Sequence, residues 1–205
     1  MRILIVTATS AEIAPLASAL AARRDVDTLV TGIGMVATAT RAARALAQKP
    51  YDFALNLGLC GSFDRTIPVG SVVHVVSDCL PELGAEDGDA FLPIESLNLP
   101  SDHHVRNDRP PRNAALGGLP SVSGITVNTV HGNDRSIAAV VARCRPQVES
   151  MEGAAFMCAC RLSGVVYAQV RAVSNVVERR NRDSWKIKDA IDALAGAAQR
   201  ILEHA

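Results

Sequence analysis

The sequence predicts an α/β protein, a three-layer sandwich of helices around a central sheet that is mixed and mostly parallel. Three observations predict it. Short runs of aliphatic and β-branched residues alternate along the chain with Ala-rich segments of helical length. The apolar runs are continuous and do not alternate with polar residues, as expected for strands covered on both faces. Aromatic residues make up only 3% of the 205 residues, so the core must be built from Ala, Val, Leu and Ile, which suits buried strands and closely packed helices. That length is expected to form one domain, residues 1–205.

In order, residues 2–8 read as a short buried strand that ends at small polar residues. Ser10 is a candidate N-cap for a helix over 11–23, with arginines near its end where the helix dipole favours them. A strand at 26–31 stops at Gly32-Ile33-Gly34, and an Ala-rich helix then runs to Gln48, ended by Pro50. Strands follow at 53–59 and 70–79. Between 81 and 120 the periodicity fails, and frequent Pro, Gly, Asp and Asn predict irregular surface structure. Order resumes with a strand at 122–128, a helix over 134–143 and a short strand at 147–149. A helix over 152–162 and a strong strand at 165–173 come next. A final helix is expected over 184–203, with Trp185, Ile187, Ala190, Ile191 and Leu194 at helical spacing.

Composition narrows the function classes. Lys+Arg and Asp+Glu both number 21, so no basic surplus points to nucleic acid or to an anionic membrane surface. The five cysteines contain no Cys-x-x-Cys pair, which fits a reducing compartment better than a disulfide framework. The apolar start Ile3–Val6 is too short for a signal peptide, and no stretch reaches the roughly 20 apolar residues needed to span a bilayer. A cytoplasmic enzyme acting on a small molecule is expected.

Several motifs are decoys. Gly32-Ile33-Gly34-Met35-Val36-Ala37 matches the dinucleotide pattern G-x-G-x-x-A, but the strand it follows is the second, not the first. Asp52 opens a strand where the ribose-binding acid of that pattern closes one, so a tight strand-to-helix turn is the better reading. Cys60 has no recognisable histidine partner and reads as a small buried residue at a strand end. His103-His104 lack further ligands at metal-like spacing and read as solvated loop residues. Cys158 and Cys160, two apart on a helix, face different ways.

Three polar positions fall where strands meet helices, the usual place for ligands in open α/β sheets. They are Glu12, Glu152 in Met151-Glu152-Gly153-Ala154-Ala155, and Asn175 in Arg171-Ala172-Val173-Ser174-Asn175. With Asn56-Leu57-Gly58-Leu59-Cys60-Gly61-Ser62, these segments resemble, in order, those of the purine nucleoside phosphorylase/nucleosidase superfamily. Within it the chain is similar to the futalosine hydrolases of menaquinone biosynthesis. The resemblance runs over most of the chain and is weakest at 81–120.

The resemblance implies a nucleoside phosphorylase-like fold and cleavage of an N-riboside. Glu12 would be the general base toward water, and Glu152 would hold the ribose hydroxyls beside a developing oxocarbenium ion. Met151 would pack under the sugar, while Cys60, Gly61 and Ser174 would line the substrate site. Asn175 stands where adenine-specific members carry Asp. An amide can pair with a 6-oxopurine but cannot readily deliver a proton, so hypoxanthine is expected as the base and the proton donor is open. The glycine-rich segment lacks the arginine with which phosphorylases hold phosphate, which favours hydrolysis. The charged stretch 177–187 resembles that of futalosine hydrolases and could meet the carboxyphenyl tail of the substrate; equally, it could be a solvated loop with Trp185 anchoring the last helix. The superfamily implies no metal or organic cofactor and a homo-oligomer, dimeric or larger. The rivals are a methylthioadenosine/adenosylhomocysteine nucleosidase, a purine nucleoside phosphorylase, a nucleoside-binding module without turnover, and a dinucleotide-binding protein.

Overall fold

A computed structural model describes residues 1–101 and 103–205. The strands are β1 (Ile3–Thr7), β2 (Val26–Val30), β3 (Phe53–Ser62), β4 (Val72–Cys79), β5 (Gly84–Asp87), β6 (Ala90–Pro93), β7 (His104–Arg106), β8 (Ser121–Thr126), β9 (Val148–Ser150) and β10 (Val166–Val176). The helices are α1 (Ser10–Ile13), α2 (Ala17–Ala21), α3 (Met35–Gln48), α4 (Ala114–Gly117), α5 (Asp134–Cys144), α6 (Gly153–Ser163) and α7 (Ile187–Glu203).

Most elements lie where the apolar pattern places them, and the departures have local causes. The first helix is broken because Pro15 falls within the 3₁₀ turn Ala14–Leu16 that separates α1 from α2. Its cap is Thr9 and not Ser10. The last helix begins at Ile187, so Trp185 lies outside it, in a segment that opens with a 3₁₀ turn at Arg182–Ser184. Strands β3 and β10 run further than expected, to Ser62 and Val176, because they pair with each other through their polar ends. In the irregular region β5 and β6 form a hairpin, turned by Gly88 (φ 60°) and Asp89.

The sheet is mixed, as expected, but it is not a flat middle layer. Its order is β10-β4-β8-β9-β3-β1-β2, and β10 also pairs with β3. That pairing closes β3, β10, β4, β8 and β9 into a ring, with β1 and β2 continuing outward from β3 in parallel. The sandwich description is therefore replaced by a closed barrel with a short sheet extension. A register shift between Val173 and Asn175 helps β10 curl onto β3.

Helices cover both faces of the extension. Alternate residues of β1 enter opposite cores: Ile3 and Ile5 pack with Leu194 and Ile201 of α7, while Leu4 and Val6 pack with Ala42 and Leu46 of α3 and Phe156 of α6. Within the ring, Cys60, Val73, Val75, Val122, Val148 and Val173 form one cluster to which all five ring strands contribute.

Beside that cluster lies a buried polar network. Gln169 Nε2 donates to Asp78 Oδ2 (3.0 Å), Thr126 Oγ1 donates to Asp78 Oδ1 (2.9 Å), and Thr126 Oγ1 accepts from Ala154 N–H (2.7 Å). Arg171 Nη2 donates to Asn56 Oδ1 (2.6 Å), and Asn56 Nδ2 donates to the Val6 carbonyl (2.9 Å). The network ties the first turn of α6 to the barrel. A β-carbon on Gly153 would collide with Asp78 Oδ2 and with Gln169 Nε2, so glycine is needed there for close approach.

Two stability predictions result. Gly153→Ala should destabilise by about 1–3 kcal/mol through overpacking, read as a lower urea midpoint. Burial raises the Asp78 carboxyl from 3.8 to about 7. The folded state thus holds this proton more tightly, and the associated stability is complete at low pH and lost as pH rises through about 7. Asp78→Asn, which resembles the protonated acid, should unfold at a higher urea concentration than the wild type at about pH 8, with the gap narrowing toward about pH 4. Parallel profiles across that range would remove Asp78 from the pH dependence.

Candidate active site

A cavity of about 290 Å³ opens where β1, β3, β9 and β10 end beside the turn after β2. Its lining includes Glu12, Cys60, Gly61, Met151, Glu152, Ser174 and Asn175, so all seven residues singled out from the sequence meet in one place. Segments as far apart as positions 12 and 175 converge because β1, β3 and β10 are parallel neighbours that finish at the same edge. Thr9, Ile33, His131, Glu149, Trp185 and Ile187 also line it.

Glu12 is the third residue of α1, and its two oxygens have different surroundings. Oε2 accepts from the Thr9 backbone N–H (2.8 Å) and hydroxyl (3.2 Å), completing a capping box. Oε1 lies 3.3 Å from where a β-carbon on Gly58 would stand. The local role as a helix-capping acid is therefore real, and it fixes the carboxylate so that the other oxygen keeps one orientation.

Glu152 precedes α6 and is only 6% exposed. Its Oε1 accepts from the backbone N–H of Gly34 at 3.0 Å. The Gly32-Ile33-Gly34 turn is thus the strand-to-helix turn expected in place of a dinucleotide fingerprint, yet it also belongs to the site. Gly34 sits at φ 97°, a conformation open to glycine and few other residues, and this aims its N–H at the carboxylate.

On β10, the Ser174 hydroxyl donates to Asn175 Oδ1 (2.8 Å), with the Cys60 carbonyl at 3.2 Å, and Asn175 Nδ2 donates to the Val176 carbonyl (3.0 Å). These contacts fix the amide and leave one Nδ2 hydrogen for a ligand. Burial pushes the Cys60 thiol up to about 12, so Cys60 is a wall of the cavity and not a nucleophile. Arg171, from the same segment as Asn175, is 1% exposed and does not line the cavity; Nη2 joins the barrel network, while Nη1 lies over Gly58, the glycine that Glu12 Oε1 also approaches.

Sequence reasoning missed the pair His131–Glu149. Glu149 Oε2 meets His131 Nδ1 at 2.7 Å, and Glu149 Oε1 accepts from the His131 backbone N–H at 3.1 Å. Their side chains are 10% and 3% exposed. No local pattern announces them, since they lie 18 positions apart and meet through the pairing of β9 with β3 and β8. Trp185 was expected on a helix; instead it faces the cavity, with the Arg180 and Arg182 guanidinium carbons 5.2 and 6.0 Å from its ring centroid. His103 and His104 line a different cleft, where the structure adds a partner the sequence did not reveal: Glu95 Oε1 lies 2.5 Å from His103 Nε2 and 3.5 Å from His104 Nε2.

Among the described residues, no helix is long and apolar enough to cross a membrane. Residues 22–205 match the family model described as the phosphorylase superfamily. The chain is 34% identical over 181 residues to the futalosine hydrolase of Thermus thermophilus, covering 85% of this chain and 80% of that protein. It is also 34% identical to the futalosine hydrolase of Streptomyces coelicolor over 184 residues, 85% of this chain and 77% of the other. In fold it matches a 5′-methylthioadenosine/S-adenosylhomocysteine nucleosidase from Colwellia psychrerythraea solved with adenine, with TM-score 0.85 and 19% identity, covering 100% of this chain and 95% of that one. The futalosine hydrolase of Helicobacter pylori matches with TM-score 0.85 and 13% identity, over 100% and 98% of the two chains. With these segments meeting at one strand edge, the chain belongs to the phosphorylase superfamily and, within it, to the futalosine hydrolase family.

Proposed function

We propose that this chain hydrolyses the N-glycosidic bond of futalosine, releasing hypoxanthine and dehypoxanthine futalosine in menaquinone biosynthesis. The observation that carries the reading is that Glu12 and Glu152, distant in sequence and anchored by different elements, line one cavity. Breaking an N-riboside develops positive charge on the sugar and negative charge on the departing base. Glu152 accepts hydrogen bonds from the ribose hydroxyls and places negative charge beside the developing cation, while Met151 packs under the ring. Glu12 Oε1 holds a water and takes its proton as the oxygen attacks the anomeric carbon.

Support for hydrolysis over phosphorolysis comes from the lining, which among the described residues carries Glu12, Glu149 and Glu152 but no arginine or lysine. A phosphate dianion needs charge-assisted donors, and here it would meet carboxylates. Asn175, fixed by Ser174 and Val176, keeps one hydrogen for O6 of a 6-oxopurine, an acceptor that adenine lacks, which favours hypoxanthine over adenine and argues against the methylthioadenosine reading. Cys60, Gly61 and Ser174 shape the wall against the base. The stacking of Arg180 and Arg182 on Trp185 at the cavity favours the reading of 177–187 as a contact for the carboxyphenyl tail. The reading includes a single nucleosidase domain over 1–205 in the cytoplasm, assembled as a dimer or larger, with no metal or organic cofactor.

The test incubates the protein with futalosine, inosine and methylthioadenosine, with and without phosphate, and identifies the products. Hypoxanthine should appear from futalosine at the same rate in either buffer; ribose 1-phosphate-type products would reassign the chain to the phosphorylases. Glu12→Gln should lower kcat on futalosine by about 10²–10⁴-fold while substrate binding stays within about threefold. Undiminished turnover removes Glu12 from the role of base.

A further inference from the structure

Cleavage of the bond needs one more group besides the base and the ribose-binding acid. An N-glycosidic bond breaks fastest when the departing base receives a proton, and the amide of Asn175 cannot supply it. We propose that His131, held by Glu149, is the group that protonates the departing hypoxanthine, with Glu149 as its positioning residue. This rests on the proposed function and adds a catalytic residue to it.

Three observations carry the assignment. First, the pair is at the right end of the cavity. A β-carbon on Gly61 would stand 3.2 Å from Asn175 Nδ2 and 3.6 Å from Glu149 Cγ, so the carboxylate arm flanks the same glycine as the amide assigned to the base. Glu12, the residue assigned to the water, lies instead against Gly58, three residues earlier on β3. Three residues of strand span about 10 Å, enough to separate a group serving the sugar carbon from one serving the imidazole ring of the base.

Second, the imidazole is oriented. Glu149 Oε2 meets His131 Nδ1 at 2.7 Å, and the same carboxylate accepts the His131 backbone N–H at 3.1 and 3.4 Å. Phe63 packs edge-on against the ring, with centroids 5.9 Å apart. With Nδ1 committed to Glu149, Nε2 is the ring nitrogen left for a ligand in the cavity that His131 lines.

Third, the pair is enclosed at the cavity. Both side chains are nearly buried, and an imidazole held by a carboxylate through Nδ1 can present a proton on Nε2 to a bound ligand.

The step balances. The C1′–N9 bond breaks and its electron pair passes to the base, whose imidazole ring takes the proton from His131 Nε2. Water adds to C1′ and gives its proton to Glu12. Solvent returns a proton from Glu12 to His131 between turnovers, so the net reaction consumes one water.

The experiment compares full-chain wild type, His131→Gln and Glu149→Gln on futalosine and on its analogue carrying 8-azahypoxanthine, a more acidic leaving base. His131→Gln should lower kcat on futalosine by about 10²-fold or more, leave hypoxanthine binding within about threefold, and lose less than a tenth as much on the aza analogue. Glu149→Gln, which keeps the shape of the acceptor, should show the same leaving-group dependence with a smaller loss. The double variant should be no slower than His131→Gln alone. Equal losses on both substrates, a loss confined to binding, or a kcat change under about threefold overturns the assignment. If His131→Gln does not fold, as judged by circular dichroism, the leaving-group dependence of Glu149→Gln decides alone. Failure of the wild type to release hypoxanthine from futalosine would instead refute the proposed function, a result distinct from an unaffected variant.

Discussion

The start of α6 is where fold and site depend on each other. Gly153 lies against Asp78 and Gln169 with no room for a side chain, and Ala154 N–H donates to Thr126, which in turn donates to Asp78. Those partners belong to β4, β8 and β10, so the helix is seated on three strands of the ring at once. Glu152 immediately precedes this seat and is tied at its far end to Gly34. This double anchoring holds the Glu152 carboxylate in one place at the cavity, which is the preorganisation that its role in the proposed reaction would require.

The interior of the barrel is unusually polar for a chain so rich in Ala and Val. Asn56, Asp78, Gln169 and Arg171 are all buried, and Arg171 has no carboxylate within ion-pair distance among the described residues. Burial of such groups costs stability unless each finds partners, and the side chains are linked in pairs that join β3 to β10 and β4 to β10. Its polar pairs lie across the closing seams of the ring. Closure through β10 is also what brings Ser174 and Asn175 beside Cys60 and Gly61.

The carboxylates in the cavity are distinguished by their surroundings and not by residue type. Glu12 is half engaged in capping its own helix, Glu152 accepts from a glycine turn, and Glu149 faces an imidazole. The same functional group thus has three different neighbours within one cavity of about 290 Å³. Division of labour in glycosidic cleavage needs this kind of asymmetry, because one acid must take a proton, another must stay charged, and the leaving base needs a donor.

The sequence by itself determined the alternation of strands and helices and the segments that carry the chemistry. Continuous apolar runs and capping signals are local properties, so β1, α3, α6 and β10 could be read directly. The strand–helix junctions marked Glu12, Glu152 and Asn175 as candidates, but the segments were legible as a set only because their order resembles that of the nucleoside phosphorylase/nucleosidase superfamily; taken singly, each acid reads as an ordinary residue at a helix start. Ring closure was not legible, because an apolar run reports that a strand is buried but not which strand lies beside it. For the same reason His131 and Glu149 gave no signal, and the short helix starting point that frees Trp185 was hidden by a helical spacing that continues through it. The Gly88-Asp89 hairpin was a readable turn signal obscured by its polar surroundings. Only the tertiary structure decided which acids share a cavity, since that depends on parallel strands ending at one edge and on a glycine close enough to the barrel to hold a helix in place.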